Sequence, residues 1–127
     1  MYNKTITVTL PLPPSVNGLF AGMKRRFKSK KYKEWTALAE EQCQEELSKY
    51  EINPDEWLYA RYTFMMPLKC KNGNVKKRDV ANYEKATSDF LADNIDGFDD
   101  MMIRKMSMEK VDSERNEVEC TLTEINE

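Results

Sequence analysis

Histidine is absent from this chain, and glycine, proline and cysteine are scarce. The lack of histidine excludes histidine-ligated metal sites, Ser-His-Asp triads and Cys-His pairs, because each of them needs an imidazole. Any acid–base or metal chemistry must therefore use carboxylates and lysines. Cys43, Cys70 and Cys120 lie far apart and form no Cys-x-x-Cys pair, which favours a protein that stays reduced in the cytoplasm.

Long apolar runs are also missing. No stretch approaches the roughly 20 residues of a membrane-spanning helix, and the first residues show no apolar signal region. We therefore expect a cytoplasmic protein without a membrane partner. The chain has 127 residues, which is enough for one core but not for a separate recognition domain, and we predict a single domain over residues 1–127.

Basic residues are concentrated in two segments, although the formal net charge is only −2. We predict that residues 15–33 form a loop, the basic arm, and that the second segment lies in a turn-rich loop before residue 79. A positive face of this kind suits a phosphate backbone, whereas solvated surface lysines explain an isolated run equally well. The basic residues are Lys24, Arg25, Arg26, Lys28, Lys30, Lys31 and Lys33 in the arm, and Lys69, Lys71, Lys76, Lys77 and Arg78 in the second segment.

Two kinds of apolar periodicity predict the secondary structure. Alternation predicts strands over residues 5–10, 57–66, 101–111 and 117–124, the second of them central. Helical spacing predicts a helix from about Ser29 to Tyr50 and another that Asp79 caps and residues 94–97 end. The order β-α-β-α-β-β predicts an α+β fold in which two helices pack on a mixed sheet. The predicted helical stripes are Tyr32, Trp35, Leu38, Ala39, Cys43, Leu47 and Tyr50, then Val80, Tyr83, Thr87, Phe90 and Leu91.

The segment 79–100 carries residues suited to phosphodiester hydrolysis. Asp79 with Asp99 or Asp100 would form a minimal Mg²⁺ site, because Mg²⁺ takes a few carboxylates and completes its shell with water and substrate oxygens. Lys85 can lean back toward the helix start and contact the scissile phosphate. The same residues also have a purely structural explanation, as a helix cap, a turn and a Lys85–Asp89 surface ion pair.

Two blocks of sequence resemble the RusA family of Holliday-junction resolvases, which phages and prophages often encode. The first block is the opening strand with its proline-rich turn, and it ends in a Ser-x-Asn motif at Ser15 and Asn17. The second is similar to the family's Arg-Asp-x-Asp-Asn-x-x-Lys-Ala, Asp-x-Leu and Asp-Asp run. Its residues here are Arg78-Asp79-Val80-Ala81-Asn82, Lys85-Ala86, Asp89-Phe90-Leu91 and Asp99-Asp100.

The resemblance implies a homodimer that binds four-way DNA junctions and nicks two opposed strands with Mg²⁺, or with Mn²⁺ as a substitute. It implies catalytic roles for Asp79, Lys85 and Asp100, with Asp99 as a further candidate, and metal binding by the three aspartates. Met101, Met102, Met106 and Met108 could serve an adaptable dimer interface or simply the core. The expected DNA contacts are Asn17, Lys24, Arg25, Arg26, Lys28, Lys30, Lys31, Lys76, Lys77 and Arg78.

Position 81 departs from the family pattern, because Ala81 stands where the family usually has its second aspartate. Either the change is an engineered inactivation, or the chain is a natural variant that ligates metal through Glu84, Asp89 or Asp93. In both cases we expect weaker Mg²⁺ binding and cleavage, with junction binding retained. Two alternatives remain. Ala81 supports a non-catalytic protein that binds branched DNA, and the third possibility is an interaction module without a nucleic-acid role.

Overall fold

A computed structural model describes residues 4–15, 20–21 and 27–125, and for residues 20, 21, 27 and 28 it describes only the backbone. Within these residues, no helix is long and apolar enough to cross a membrane. The strands are β1 (Thr5–Pro11), β2 (Phe20–Ala21), β3 (Phe27–Lys28), β4 (Trp57–Met66), β5 (Ile103–Asp112) and β6 (Glu117–Ile125). The helices are α1 (Lys30–Leu47) and α2 (Ala81–Asn94), and a 3₁₀ turn covers Asp100–Met102.

The four long strands form one mixed sheet in the order β1-β6-β4-β5. β6 is antiparallel to both β1 and β4, whereas β4 and β5 are parallel. A parallel pair needs a crossover connection, and α2 lies within this one. The predicted α+β fold, with two helices and a mixed sheet, is confirmed, and β4 is a central strand as expected.

The helices pack on the face of the sheet that carries the alternating apolar side chains. Every second residue of β4, from Leu58 to Met66, is buried, and Val118, Cys120 and Leu122 of β6 are buried beside them. The Trp35 and Phe90 rings meet edge to face with centroids 5.4 Å apart, which joins α1 to α2. One core therefore holds both helices against the sheet.

Three local predictions need correction. Leu38 is 43% exposed, because the buried stripe of α1 runs through every fourth residue from Trp35 to Leu47 and leaves Leu38 at its solvent edge. The strand predicted from residue 101 begins at Ile103, since the Asp99 carboxylate accepts a hydrogen bond from the Met101 amide and stabilises a 3₁₀ turn first.

The predicted loop over residues 15–33 contains the β2–β3 hairpin, and its last four residues belong to α1. The helix starts where helical spacing predicts it, and Ser29 caps it, because its hydroxyl oxygen accepts a hydrogen bond from the Tyr32 amide at 3.1 Å. Asn17, Lys24, Arg25 and Arg26 lie outside the described residues.

Candidate active site

Asp79 lies two residues before α2, whose N-cap residue is Val80, and its side chain hydrogen-bonds to the first residue of the helix. Its Oδ1 accepts a hydrogen bond from the Ala81 amide at 3.0 Å, and its backbone carbonyl accepts one from the Asn82 amide. Asp79 is exposed. Asp79 lines a surface cavity of about 630 Å³ together with Arg78 and Lys110.

Lys85 lies further along the same helix and pairs with Asp89. Its Nζ is 3.3 Å from Asp89 Oδ2, and the two side chains are 51% and 38% exposed. An exposed i, i+4 pair of this kind contributes only about 0.3–0.5 kcal/mol. Lys85 can therefore leave Asp89 for a phosphate oxygen at little cost in stability.

Asp99 and Asp100 follow a tight turn at the far end of α2. Gly97 has φ +83°, and a Cβ at this position would overlap the carbonyl oxygen of Ile52. The Ile52 amide donates a hydrogen bond to the Asp96 carbonyl at 2.8 Å. The chain thus passes closely beside Ile52, and only glycine allows this approach. The two aspartates that follow are both exposed.

The electrostatics of Asp100 show which charged groups surround it. Partial desolvation raises the pKa of the Asp100 carboxyl, and the hydrogen bond with Asp99 and the negative charges of Asp99 and Asp89 raise it further. Lys85 acts in the opposite sense and lowers this pKa. The structure therefore brings Asp100, Asp99, Asp89 and Lys85 together, whereas Asp79 lines a different cavity from Asp99.

These residues could hold a metal ion only if water or substrate supplied most of its ligands. Within residues 4–15, 20–21 and 27–125, no group of three or more aspartate, glutamate, cysteine or histidine side chains is placed to hold one. Mg²⁺, however, is often bound by one or two carboxylates, with waters and substrate phosphates completing its shell. Asp99 and Asp100 meet that requirement, because a divalent cation would relieve the repulsion between their carboxylates.

A buried hydrogen-bond chain joins β4 to α2 and was not predicted from the sequence. The Tyr62 hydroxyl lies 2.9 Å from Ser88 Oγ, and Ser88 Oγ donates to Glu84 Oε1 at 2.8 Å. Tyr62 and Ser88 are fully buried, whereas Glu84 is half-buried. The i, i+4 spacing of Glu84 and Ser88 is visible in the sequence, but their link to Tyr62 depends on the packing of α2 against β4.

Basic side chains line a continuous surface beside the start of α2, which we call the basic groove. Arg78 lines both the Asp79 cavity and a neighbouring cavity of about 430 Å³ that includes Lys31. Lys110, which sequence reasoning missed, donates a hydrogen bond from Nζ to the Arg78 carbonyl at 2.8 Å. The residues of the basic groove are Lys31, Lys77, Arg78 and Lys110.

The remaining predicted DNA contacts lie elsewhere. Lys30 is exposed, and its Nζ lies 3.9 Å from Glu34 Oε1. Lys76 is half-buried, and Lys28 is the last residue of β3, where only the backbone is described. Only part of the predicted basic set therefore lines the basic groove.

Comparison with known families agrees with the sequence resemblance. The chain matches the family model for endodeoxyribonuclease RusA over residues 11–123. It belongs to the RusA family. The match covers most of the chain and includes the whole segment from Asp79 to Asp100. A comparison with individual curated proteins found no match.

Family membership carries a functional implication. RusA proteins are endodeoxyribonucleases of the Holliday-junction resolvase class, which act on branched DNA and generally use a divalent metal ion. The predicted family is thus confirmed, and with it the expectation of a DNA-cleaving enzyme. The roles of individual residues in this chain are a separate question.

Proposed function

We propose that this protein is a Mg²⁺-dependent endonuclease that resolves Holliday junctions by paired nicks, and that Ala81 weakens its activity. The observation that carries this proposal is the grouping of Asp100 and Asp99 with Lys85, inside a segment that matches the family. Such an enzyme would act in DNA recombination and repair, in a bacterial or phage-infected cell.

Asp99 and Asp100 would hold the metal ion as a pair. Asp79 is a third proposed ligand, although it lines a different cavity from Asp99 and, among the described residues, forms no three-carboxylate group with the pair. A bound Mg²⁺ supplies charge neutralisation at the phosphate and activates water for attack. Lys85 would leave Asp89 and donate hydrogen bonds to a non-bridging oxygen, which stabilises the charge that builds up during displacement. Its weak, exposed pairing with Asp89 keeps it close to this position.

Two copies of the chain would act on one junction. A four-way junction is close to two-fold symmetric, so two symmetry-related sites can nick opposed strands evenly. We therefore propose a homodimer as the active form.

The basic groove would hold the phosphate backbone beside the site. Arg78 precedes Asp79, and Lys110 is hydrogen-bonded to the Arg78 carbonyl, so both cations lie next to the proposed metal ligand. Phosphate contacts release counterions, which makes junction affinity fall as salt concentration rises.

Replacing both Arg78 and Lys110 by alanine should flatten the salt dependence of junction binding. The slope of log K against log[salt] should fall in magnitude by about 1.8, because each lost phosphate contact removes about 0.9. Fluorescence anisotropy with a labelled junction at several salt concentrations measures this slope. Lys4 and Lys49, both exposed and outside the groove, provide the control pair, and an equal effect from that pair would show that the groove is not the DNA path.

Replacing Ala81 by aspartate should strengthen both metal binding and nicking. We expect an increase of at least about tenfold, because one carboxylate near a divalent ion is worth a few kcal/mol at an effective dielectric near 20. Nicking of a labelled four-way junction with Mg²⁺ or Mn²⁺ measures activity, and titration calorimetry measures metal affinity. Ala81→Asn controls for side-chain size without charge.

The same experiment separates the enzyme from its main alternative, a non-catalytic protein that binds branched DNA. Ala81 is the observation that favours that alternative. Junction binding without nicking by either the Ala81 chain or its Ala81→Asp variant would support the binder. Negligible junction affinity at all salt concentrations would contradict both functions.

A further inference from the structure

An exposed apolar surface adjoins the Asp99–Asp100 pair, and the proposed function gives it no role. Trp57 is 50% exposed and Met101 is 82% exposed. Both line one cavity of about 430 Å³, and Asp99 lines it with them. We call it the tryptophan cavity. Single exposed apolar residues need no explanation, but large apolar side chains that share a concave surface are typical of a binding site.

Backbone contacts fix the two residues that supply the apolar surface. Trp57 is the first residue of β4 and pairs with Ile125 of β6. The Met101 amide donates a hydrogen bond to Asp99 Oδ1 at 2.9 Å, and the next residue, Met102, is buried in the core. An indole has only two side-chain torsions, so its ordering against a ligand costs little entropy.

The charged groups of the tryptophan cavity disfavour a phosphate. Among the described residues that line it, Asp55, Glu56 and Asp99 carry carboxylates and none is basic. The residues of the basic groove line other cavities. A DNA backbone would therefore follow the basic groove and be repelled here. A nucleobase, in contrast, has an uncharged face for the indole, and amino groups on its edge can donate hydrogen bonds to carboxylates.

A base would lie near this cavity whenever a scissile phosphate lies at the metal ion. Asp99 lines the cavity and directly precedes Asp100, and only a sugar separates a phosphate from its neighbouring base. Turning a base out of a helix costs least where its pairing or stacking is already disturbed. The branch point of a junction is such a place, because the stack of base pairs is interrupted there.

We propose that the Trp57 ring stacks on an unpaired base at the branch point, next to the scissile phosphate. This inference rests on the proposed function and adds a nucleobase site to it. Met101 would contact the same nucleotide through its flexible, polarisable thioether. Aromatic stacking accepts every base, so Trp57 would favour branched over linear DNA without selecting a sequence.

Junction binding by the Trp57→Ala variant, measured in EDTA to prevent cleavage, tests this site. Affinity should fall about tenfold, which is typical for the loss of one stacked base. The slope of log K against log[salt] should not change, because stacking releases no counterions. Trp57→Phe keeps an aromatic ring and should lose less than about threefold. Leu38→Ala removes an exposed apolar side chain of α1 and should leave affinity unchanged, and thermal unfolding checks that each variant is folded.

Tryptophan emission gives an independent measurement. The chain has two tryptophans, and Trp35 is buried, with its Nε1 donating a hydrogen bond to the Pro11 carbonyl oxygen. A junction should therefore quench Trp57 alone, and the quenching should disappear in Trp57→Phe, which retains Trp35. A linear duplex of the same sequence should not quench, because its bases stay paired and stacked.

Two results would overturn the nucleobase site. One is full junction affinity of Trp57→Ala together with unquenched emission of the unaltered chain. The other is that Trp57→Ala dissociates a dimer in sedimentation, which would make the cavity a contact between copies of the chain. Nicking by the Ala81→Asp variant would leave the proposed function intact in either case. Negligible junction binding by every variant would contradict the site and the proposed function together.

Discussion

Replacement of Asp100 by asparagine is expected to lower junction nicking at least about 100-fold, because a catalytic metal supplies several kcal/mol of charge stabilisation. Asp100 is the carboxylate that the structure places among Asp99, Asp89 and Lys85. Asparagine keeps the size of the side chain and removes its charge. The variant should therefore lose metal-dependent turnover and keep its ability to bind a junction.

The melting temperature of the Asp100→Asn variant distinguishes a loss of catalysis from misfolding. Asp100 is exposed, and its carboxyl is repelled by Asp99 and Asp89, so removing its charge should leave the melting temperature of the metal-free protein unchanged or slightly higher. Nicking should be measured both in the Ala81 chain and after Ala81→Asp, which gives a larger signal. Asp93→Asn is the matched control, and nicking by Asp100→Asn at the rate of that control would remove Asp100 from the site.

Replacement of Gly97 by alanine should destabilise the protein by about 2–4 kcal/mol and lower its melting temperature by roughly 10 °C. Two effects combine at this position. The backbone has φ +83°, which side chains rarely adopt, and the new Cβ would overlap the Ile52 carbonyl oxygen. That carbonyl is part of the backbone, so it cannot move aside as a side chain would.

Gly73 provides an unusually close control for this prediction. Its φ is +86°, and a Cβ there would meet nothing within 4 Å. Gly73→Ala should therefore cost only about 1 kcal/mol, from backbone strain alone. Thermal or urea unfolding of the two variants isolates the contribution of the Ile52 contact. Equal melting temperatures of the Gly97→Ala and Gly73→Ala variants would show that the backbone of residues 51–52 moves aside at little cost and does not fix the turn before Asp99.

The Gly97 variant also tests how the site is positioned. Asp99 and Asp100 follow this turn directly, and the Asp96 carbonyl is held by the Ile52 amide. If the turn shifts, Mn²⁺ affinity should fall at temperatures at which the protein is still folded. Gly73→Ala, in a loop remote from this turn in the sequence, should leave that affinity unchanged.

The sequence alone determined the features that depend on local pattern. Alternating apolar residues identified all four long strands, and helical spacing identified α1 and α2, because a side chain's face follows directly from its position in a regular element. The hydrogen bond of the Asp79 carboxylate to the first turn of α2 could also be anticipated from the sequence, although the N-cap residue is Val80. Motif order was sufficient for the family, and the departure at Ala81 was visible without any coordinates.

Only the tertiary structure decided which of these faces meet. The strand order β1-β6-β4-β5 and the parallel crossover through α2 place Tyr62 beneath Ser88 and Glu84, and Lys110 beside Arg78. Tyr62 and Ser88 are 26 residues apart in the chain, and Arg78 and Lys110 are 32 apart, so no local period predicts these hydrogen bonds. Leu38 was misassigned for a related reason, since the width of a buried stripe depends on what packs against it. Burial and contact are properties of the assembled layers, whereas periodicity describes only a single element.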